Sequence, residues 1–139
     1  MPTIFTHIIE GRIPGTFIWK DPQCVVFMSI NPMAHGHALV VPREEIDHWV
    51  DASSELAAHL FGVAHIIGRA QSEAFRCDRV GLIIAGYEVP HTHIHVIPTT
   101  NMNQLSFANA AANIDRETLE DSAEQIRATL RRAGHAEVV

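Results

Sequence analysis

His91, His93 and His95 stand at i, i+2 and i+4 in the run His91-Thr92-His93-Ile94-His95-Val96-Ile97-Pro98. In an extended strand alternate side chains share a face, so this spacing turns three imidazoles one way, successive ones ~7 Å apart. Side chains that titrate near neutral pH are then gathered around one small volume. Two chemistries use such a group. A neutral imidazole is a nucleophile toward phosphorus and forms a phospho-histidine that water then resolves, while flanking imidazoles donate hydrogen bonds to the phosphate oxygens. Alternatively, His-x-His presents two nitrogen ligands to zinc, with a third from Glu88, His35 or His37. The outer pair lies ~13–14 Å apart at the backbone, against ligand bonds of ~2.1 Å, so one straight strand cannot supply all three ligands. A structural accident is the third reading, and it would cost the strand its core packing on one side. His7, His48, His59, His65 and His135 stand singly and fit ordinary surface or core roles.

Those histidines need a scaffold, and the chain is long enough to build one. Its 139 residues, 47% of them apolar, make one domain with a core of its own. A net charge of −6 excludes generic nucleic-acid binding and attraction to an anionic membrane surface. A local phosphate site survives that exclusion, because backbone amides and imidazoles need no global positive field. Two cysteines without a CxxC, Cys24 and Cys77, indicate neither a disulfide framework nor a cysteine-rich zinc site. Glu10 and Arg12 interrupt the opening apolar stretch, so no secretory signal or membrane span is expected and the default location is the cytoplasm.

The patterning predicts a short helix through Ile4, Phe5, Ile8 and Ile9, ending at Gly11. Strands are expected at 16–20, 24–30, 37–41, 80–85 and 92–97, with Asp21-Pro22 and Asn31-Pro32 as breaks. Leu56, Leu60, Val63, Ile67 and Ala70 carry the period of a long amphipathic helix starting near Asp51 or Ser53. Residues 99–113 have no strong period. Asp115 then caps a last helix with Leu119, Ala123, Ile126 and Leu130 on one face, stopped at Gly134. Strands close in sequence with segregated helices imply an antiparallel α+β domain.

The histidine run, with Val89-Pro90 before it, resembles the signature of the histidine triad (HIT) family, His-φ-His-φ-His-φ-φ with φ apolar; Thr92 is the one polar φ. The likeness extends to residues 3–14, similar to the family's opening helix and turn, and to residues 27–43, similar to its central hairpin and strand. It covers most of residues 3–98, and a helix at 114–134 looks like the tail of longer bacterial members. The resemblance, closest to the Hint-like branch, implies a five-stranded antiparallel sheet with a long helix, in a homodimer whose two sheets join. It also implies a hydrolase or transferase of nucleoside monophosphate conjugates, phosphoramidase-like and metal-independent, with a purine nucleotide as its partner and no cofactor. By position His93 would be the nucleophile, His95 and His91 would contact the phosphate or orient His93, and His37 would lie near the site. Ile4, Phe5, Ile8, Phe27, Met28 and Ile30 match the family's purine pocket; plain core is the alternative for them.

Departures from the family pattern carry consequences. Ser29 stands where the family usually has an Asp or Asn on the ribose hydroxyls, and a serine makes one such bond rather than a bidentate grip. Glu88 stands three residues before His91, where nucleotide-hydrolysing members often have Ser or Thr and bacterial members also show Glu; it would set the pKa of a histidine or meet a cationic leaving amine. The Gln usually just upstream is not recognisable in Ile83-Ile84-Ala85-Gly86-Tyr87. Zinc-containing bacterial members place ligands where this chain has Thr3, Thr6, Glu45 and His91, and hydroxyls are poor zinc ligands, so no structural zinc is expected. The rival readings are a nucleotide-binding regulatory module with weak or no catalysis and, third, a zinc-dependent hydrolase.

Overall fold

The computed structural model describes residues 2–139. Its elements run α1 (Ile4–Ile9), β1 (Phe17–Lys20), β2 (Cys24–Met28), β3 (Ala38–Pro42), α2 (Ser54–Ala74), β4 (Arg79–Ile83), β5 (Ile94–Thr99) and α3 (Arg116–Arg132), with single 3-10 turns at Trp49–Asp51, Met102–Leu105 and Phe107–Asn109. The five strands form one sheet in the order β1-β2-β3-β5-β4, antiparallel throughout. This is the expected α+β fold with five antiparallel strands. No helix of the described residues is long and apolar enough to cross a membrane.

Both faces of the sheet centre are covered, which is why β2 and β3 are runs of β-branched and apolar residues rather than alternating ones. Val26, Val40, Ile94 and Val96 face the two long helices, against Leu60, Val63 and Ile67 of α2 and Ile126 and Leu130 of α3. Val25, Phe27, Leu39 and Val41 face the other way and pack against Phe5 of α1. Each such fully buried Val, Ile or Phe side chain contributes ~1.5–3 kcal/mol. The parity decides where the chemistry lies. With Ile94 and Val96 turned toward the helices, His95 between them must emerge on the Phe5 face, opposite Leu39 in the ladder.

The helix ends follow their caps. Ser53 Oγ accepts the Leu56 amide at 3.1 Å to start α2, and Asp115 accepts the amides of Glu117 and Thr118 to start α3. The chain's last residues run along the outer side of β1, where the Lys20 amide donates to Glu137 O and Trp19 bridges Val138. On the other side of the sheet, β4 pairs only with β5 among the described residues.

β1 and β3 differ from the sequence expectation by at most a single residue at each end, and β4 spans Arg79–Ile83 rather than 80–85; the differences in β2 and β5 bear on the site. β2 stops at Met28, two residues early; the Ser29 amide still adds one in-register bond to His37 O, and Ile30 beyond it is left 67% exposed. β5 begins at Ile94 rather than Thr92. The Thr92 amide and hydroxyl both donate to Ile46 O, outside the sheet, so His91 and His93 lie in the segment entering the strand. The polar φ position is thus an anchor to the β3–α2 connection.

Candidate active site

Each imidazole in this region is oriented by a partner that can act in only one sense. The His93 ring places Nδ1 2.7 Å from His91 O. A carbonyl only accepts, so Nδ1 carries a hydrogen and Nε2 is the ring nitrogen that faces Glu88. His91 itself is committed. Its Nε2–H donates to Pro42 O at 2.8 Å, leaving Nδ1 to accept from the Thr3 hydroxyl at 2.7 Å. Of the two roles the resemblance allows His91, these bonds leave the orienting one. Phe5 stacks edge-on against both rings, at 4.9 Å from His93 and 5.8 Å from His91.

A second chain of bonds sets His95. The Met33 amide, which can only donate, lies 3.1 Å from His37 Nδ1. His37 Nε2 therefore carries the hydrogen and donates to His95 Nδ1 at 2.9 Å. His95 Nε2 then carries a hydrogen aimed into the site. Burial, followed by the nearby charges of His95 and His93, pushes His37 down to about 3, so it stays neutral and the relay keeps its direction. Burial likewise lowers His95, with His93 adding to the effect and Glu88 opposing it. Gly36 makes the turn before His37 possible. Its φ is +89°, and a Cβ there would sit 2.4 Å from the Phe75 ring.

Glu88 closes this arrangement. The β4–β5 connection turns at Gly86, φ +89°, and returns the Glu88 carboxylate over the histidines. Oε1 lies 2.8 Å from His93 Nε2 and 3.3 Å from His95 Nε2. Burial raises its carboxyl pKa, but hydrogen bonds from His93, its own amide and His95 outweigh burial and hold it below the usual range.

These groups stand at the floor of an apolar cavity of about 450 Å³. Its walls include every residue the sequence assigns to nucleotide binding: Ile4, Phe5, Ile8, Phe27, Met28, Ser29, Ile30, His37 and Glu88, with His93 and His95 beside them. His91 lies behind the wall. Met28 also belongs to the core on the helix side, so it serves both. Ser29 Oγ accepts the Asn31 amide at 3.2 Å, which leaves its hydroxyl hydrogen to donate.

One wall was not legible in the sequence. Phe107, Ala110, Ile114, Arg116 and Leu119 close the cavity from the side of the segment between β5 and α3. Asn31 holds that segment in place, its Nδ2 donating to Ala111 O and Ala112 O at 3.1 and 2.9 Å. Phe107 meets His95 edge-on at 5.1 Å. A lone aromatic within a run of alanines and asparagines was the only signal available.

Two groups of side chains bring metal-ligating atoms together among the described residues. In the first, Glu88–His93–His95, the relay gives His95 Nε2 a hydrogen. Binding a cation there would require reversing it, which sets a hydrogen on His37 Nδ1 against the Met33 amide. The donor set fits an anion better than a cation. In the second, Asp21–Cys24–His59, burial drives the Cys24 thiol pKa well up and keeps it protonated, while Asp21 already accepts from Trp19 Nε1 and two backbone amides. Thr3, Thr6, Glu45 and His91 also meet, joined by hydrogen bonds: Thr3 hydroxyl to His91, Thr3 amide to Glu45 at 2.8 Å, and Thr6 hydroxyl to Glu45.

Residues 10–102 match the family model described as the HIT domain. An uncharacterised HIT-like protein of Saccharolobus solfataricus is 31% identical over 101 residues, 69% of this chain and 73% of its own length. The adenylylsulfatase HINT3 of Arabidopsis thaliana is 27% identical over 134 residues, 93% of this chain and 68% of its own. Among solved structures, a Hit-like protein of Bartonella henselae superposes with a TM-score of 0.81 at 28% identity, covering 91% of this chain and 95% of that one.

Proposed function

Because the chain belongs to the HIT domain family, we propose that it hydrolyses or transfers the nucleoside monophosphate group of a purine nucleotide conjugate through a nucleotidyl-His93 intermediate. The observation that carries this reading is the fixed tautomer of His93. Its Nδ1–H is spent on His91 O, so the nitrogen that attacks phosphorus, once the proton between it and Glu88 has left, is Nε2, at the floor of the apolar cavity. His95 Nε2–H supplies a donor for the non-bridging oxygens as charge builds up on them. The apolar walls, Phe5 and Phe27 among them, take the base against one side, and the Ser29 hydroxyl donates to the ribose. The steps are those of a double displacement. Nε2 forms a bond to phosphorus as the bond to the leaving group breaks; water then breaks the Nε2–P bond and releases the nucleoside monophosphate.

The test is turnover of a panel of AMP conjugates in water labelled with heavy oxygen. One labelled oxygen per AMP released is expected. Saturable binding of every conjugate with release from none would instead make the protein a nucleotide-binding regulatory module.

The homodimer belongs to the same proposal. β4 leaves one edge of the sheet unpaired among the described residues, and Leu82 on it is 46% exposed. A second copy pairing along this edge would join two sheets and cover that side chain. Sedimentation at micromolar concentration is expected to give a dimer, and Leu82→Arg a monomer; a wild-type monomer would refute the pairing.

A further inference from the structure

Gln71 breaks the pattern of its helix. The other buried side chains of α2 are apolar, from Leu56 to Ala70, yet at position 71 a fully buried amide meets the sheet. Its Nε2 donates to Gly36 O at 2.9 Å and to Val96 O at 3.0 Å. Carbonyls only accept, so both amide hydrogens are committed and the group cannot turn over. Oε1 is left buried without a hydrogen-bond partner among the described residues. A buried amide with an unpaired acceptor is a poor way to pack a helix on a sheet. What the amide does is bridge two main-chain segments. Gly36 immediately precedes His37, and Val96 immediately follows His95. The β3–β5 ladder ends at the pair Ala38 and Val96. Beyond that pair Gln71 links the two segments from the α2 side, and the bond from His37 to His95 links them from the cavity side.

We infer that Gln71 is a positioning residue for nucleotidyl transfer, acting from the far side of the sheet to hold His37 within hydrogen-bond distance of His95. The inference rests on the reading of His95 as the donor to the phosphate oxygens. With both carbonyls fastened to one amide, the segment carrying His37 cannot slide along β5, and His37 Nε2–H stays 2.9 Å from His95 Nδ1. That bond keeps the hydrogen of His95 on Nε2. Released from it, His95 is free to carry the hydrogen on Nδ1 and to turn a lone pair toward the phosphate, where it repels the oxygens instead of donating to them. Gln71 lies outside the cavity lining, so it acts on the chemical step through His37 and His95 and not on nucleotide affinity.

Gln71→Met keeps the length of the side chain, removes its donor and leaves a good helix former in α2. A group displaced by ~1 Å costs up to ~10²-fold in rate, so the variant should turn over an AMP conjugate about 10- to 100-fold more slowly, with AMP affinity within about twofold of the parent. Gln71→Asn keeps an amide that is one methylene too short to reach both carbonyls, and its rate should fall between the two. Long-range proton–nitrogen spectra of the histidine rings at pH 7.5 read the same effect without substrate. In the parent His95 is expected in one tautomer, with its hydrogen on Nε2, and in Gln71→Met in a mixture of two. Packing of the core alone would not move that tautomer. An unchanged His95 tautomer in Gln71→Met, or the parent's turnover rate in that variant, would overturn the assignment. Failure of both variants to fold would make the amide a support of the core and overturn it as well. The spectra need no substrate, so a parent without nucleotide on His93 would end the nucleotidyl-transfer reading and leave the tautomer result standing; the two ideas fail separately.

Discussion

His93→Ala should abolish turnover of AMP conjugates, by at least ~10⁴-fold, while AMP affinity changes by less than about tenfold. The loss falls on the chemical step, because the variant lacks the atom that bonds to phosphorus. In the proposed function the base and ribose contacts come from Phe5, Phe27, Ser29 and their neighbours, so affinity survives; Phe5 packs edge-on against His93 but is held by Phe27 as well. Steady-state rates beside calorimetric binding measure the two quantities. A His93→Ala protein that retains a tenth of the activity would remove His93 from the nucleophile position. Activity lost together with binding would make it a ligand contact instead.

The second large effect is on stability in acid. Burial takes His37 from an ordinary value of 6.5 to about 3. Above the unfolded value neither state binds this proton, so His37 leaves stability unchanged there. Between that value and 3 the unfolded chain is protonated and the native chain is not, so stability falls as pH falls. At ~1.4 kcal/mol per pH unit, His37 alone removes ~2–3 kcal/mol by pH 4.5 and ~4–5 kcal/mol once the native state is protonated too. The groups facing His37 are His95, His93 and the Met33 amide, with Glu88 reached through His95. His91 and His95 are lowered as well and act in the same direction. Asp21, held down at about 2, and the lowered glutamates Glu88 and Glu45 act only once pH falls into the ordinary carboxylate range, so the window above it belongs to histidines. Urea midpoints at pH 7.5 and 4.5 measure this. The parent midpoint should fall, and His37→Phe, though less stable at pH 7.5 through the lost bonds to Met33 and His95, should show a shallower fall. An equal fall in both proteins would contradict the burial of a neutral His37.

How far the sequence carries depends on whether a feature is periodic or built from distant contacts. The face of the sheet on which His95 emerges follows from Ile94 and Val96 on either side of it, since parity in a strand is a local property. The wall residues from Ile4 to Ile30 were legible for the same reason, as apolar positions in recognisable elements matching a family pattern. The start of β5 was not, because Thr92 breaks the ladder by bonding to Ile46, forty-six positions earlier in the chain. The segment carrying Phe107 was silent because its order comes from the Asn31 side chain rather than from any period of its own. Least legible was the direction of the hydrogens. The Met33 amide fixes His37, His37 fixes His95, and a main-chain carbonyl fixes His93, and backbone groups leave no mark on residue identity. Glu88 was visible as a departure from the family pattern, but its place over His93 depends on the turn at Gly86.

The central claim is that His93 carries the nucleotide during turnover, and rapid quenching tests it most directly. The protein is mixed with an AMP conjugate, quenched into alkali within a turnover and digested for peptide mass mapping. One nucleoside monophosphate is expected on the peptide containing His93, formed and lost at rates that account for steady-state turnover, and absent from His93→Ala. Steady turnover with no protein-bound nucleotide at any time, or nucleotide on a different residue, would contradict it.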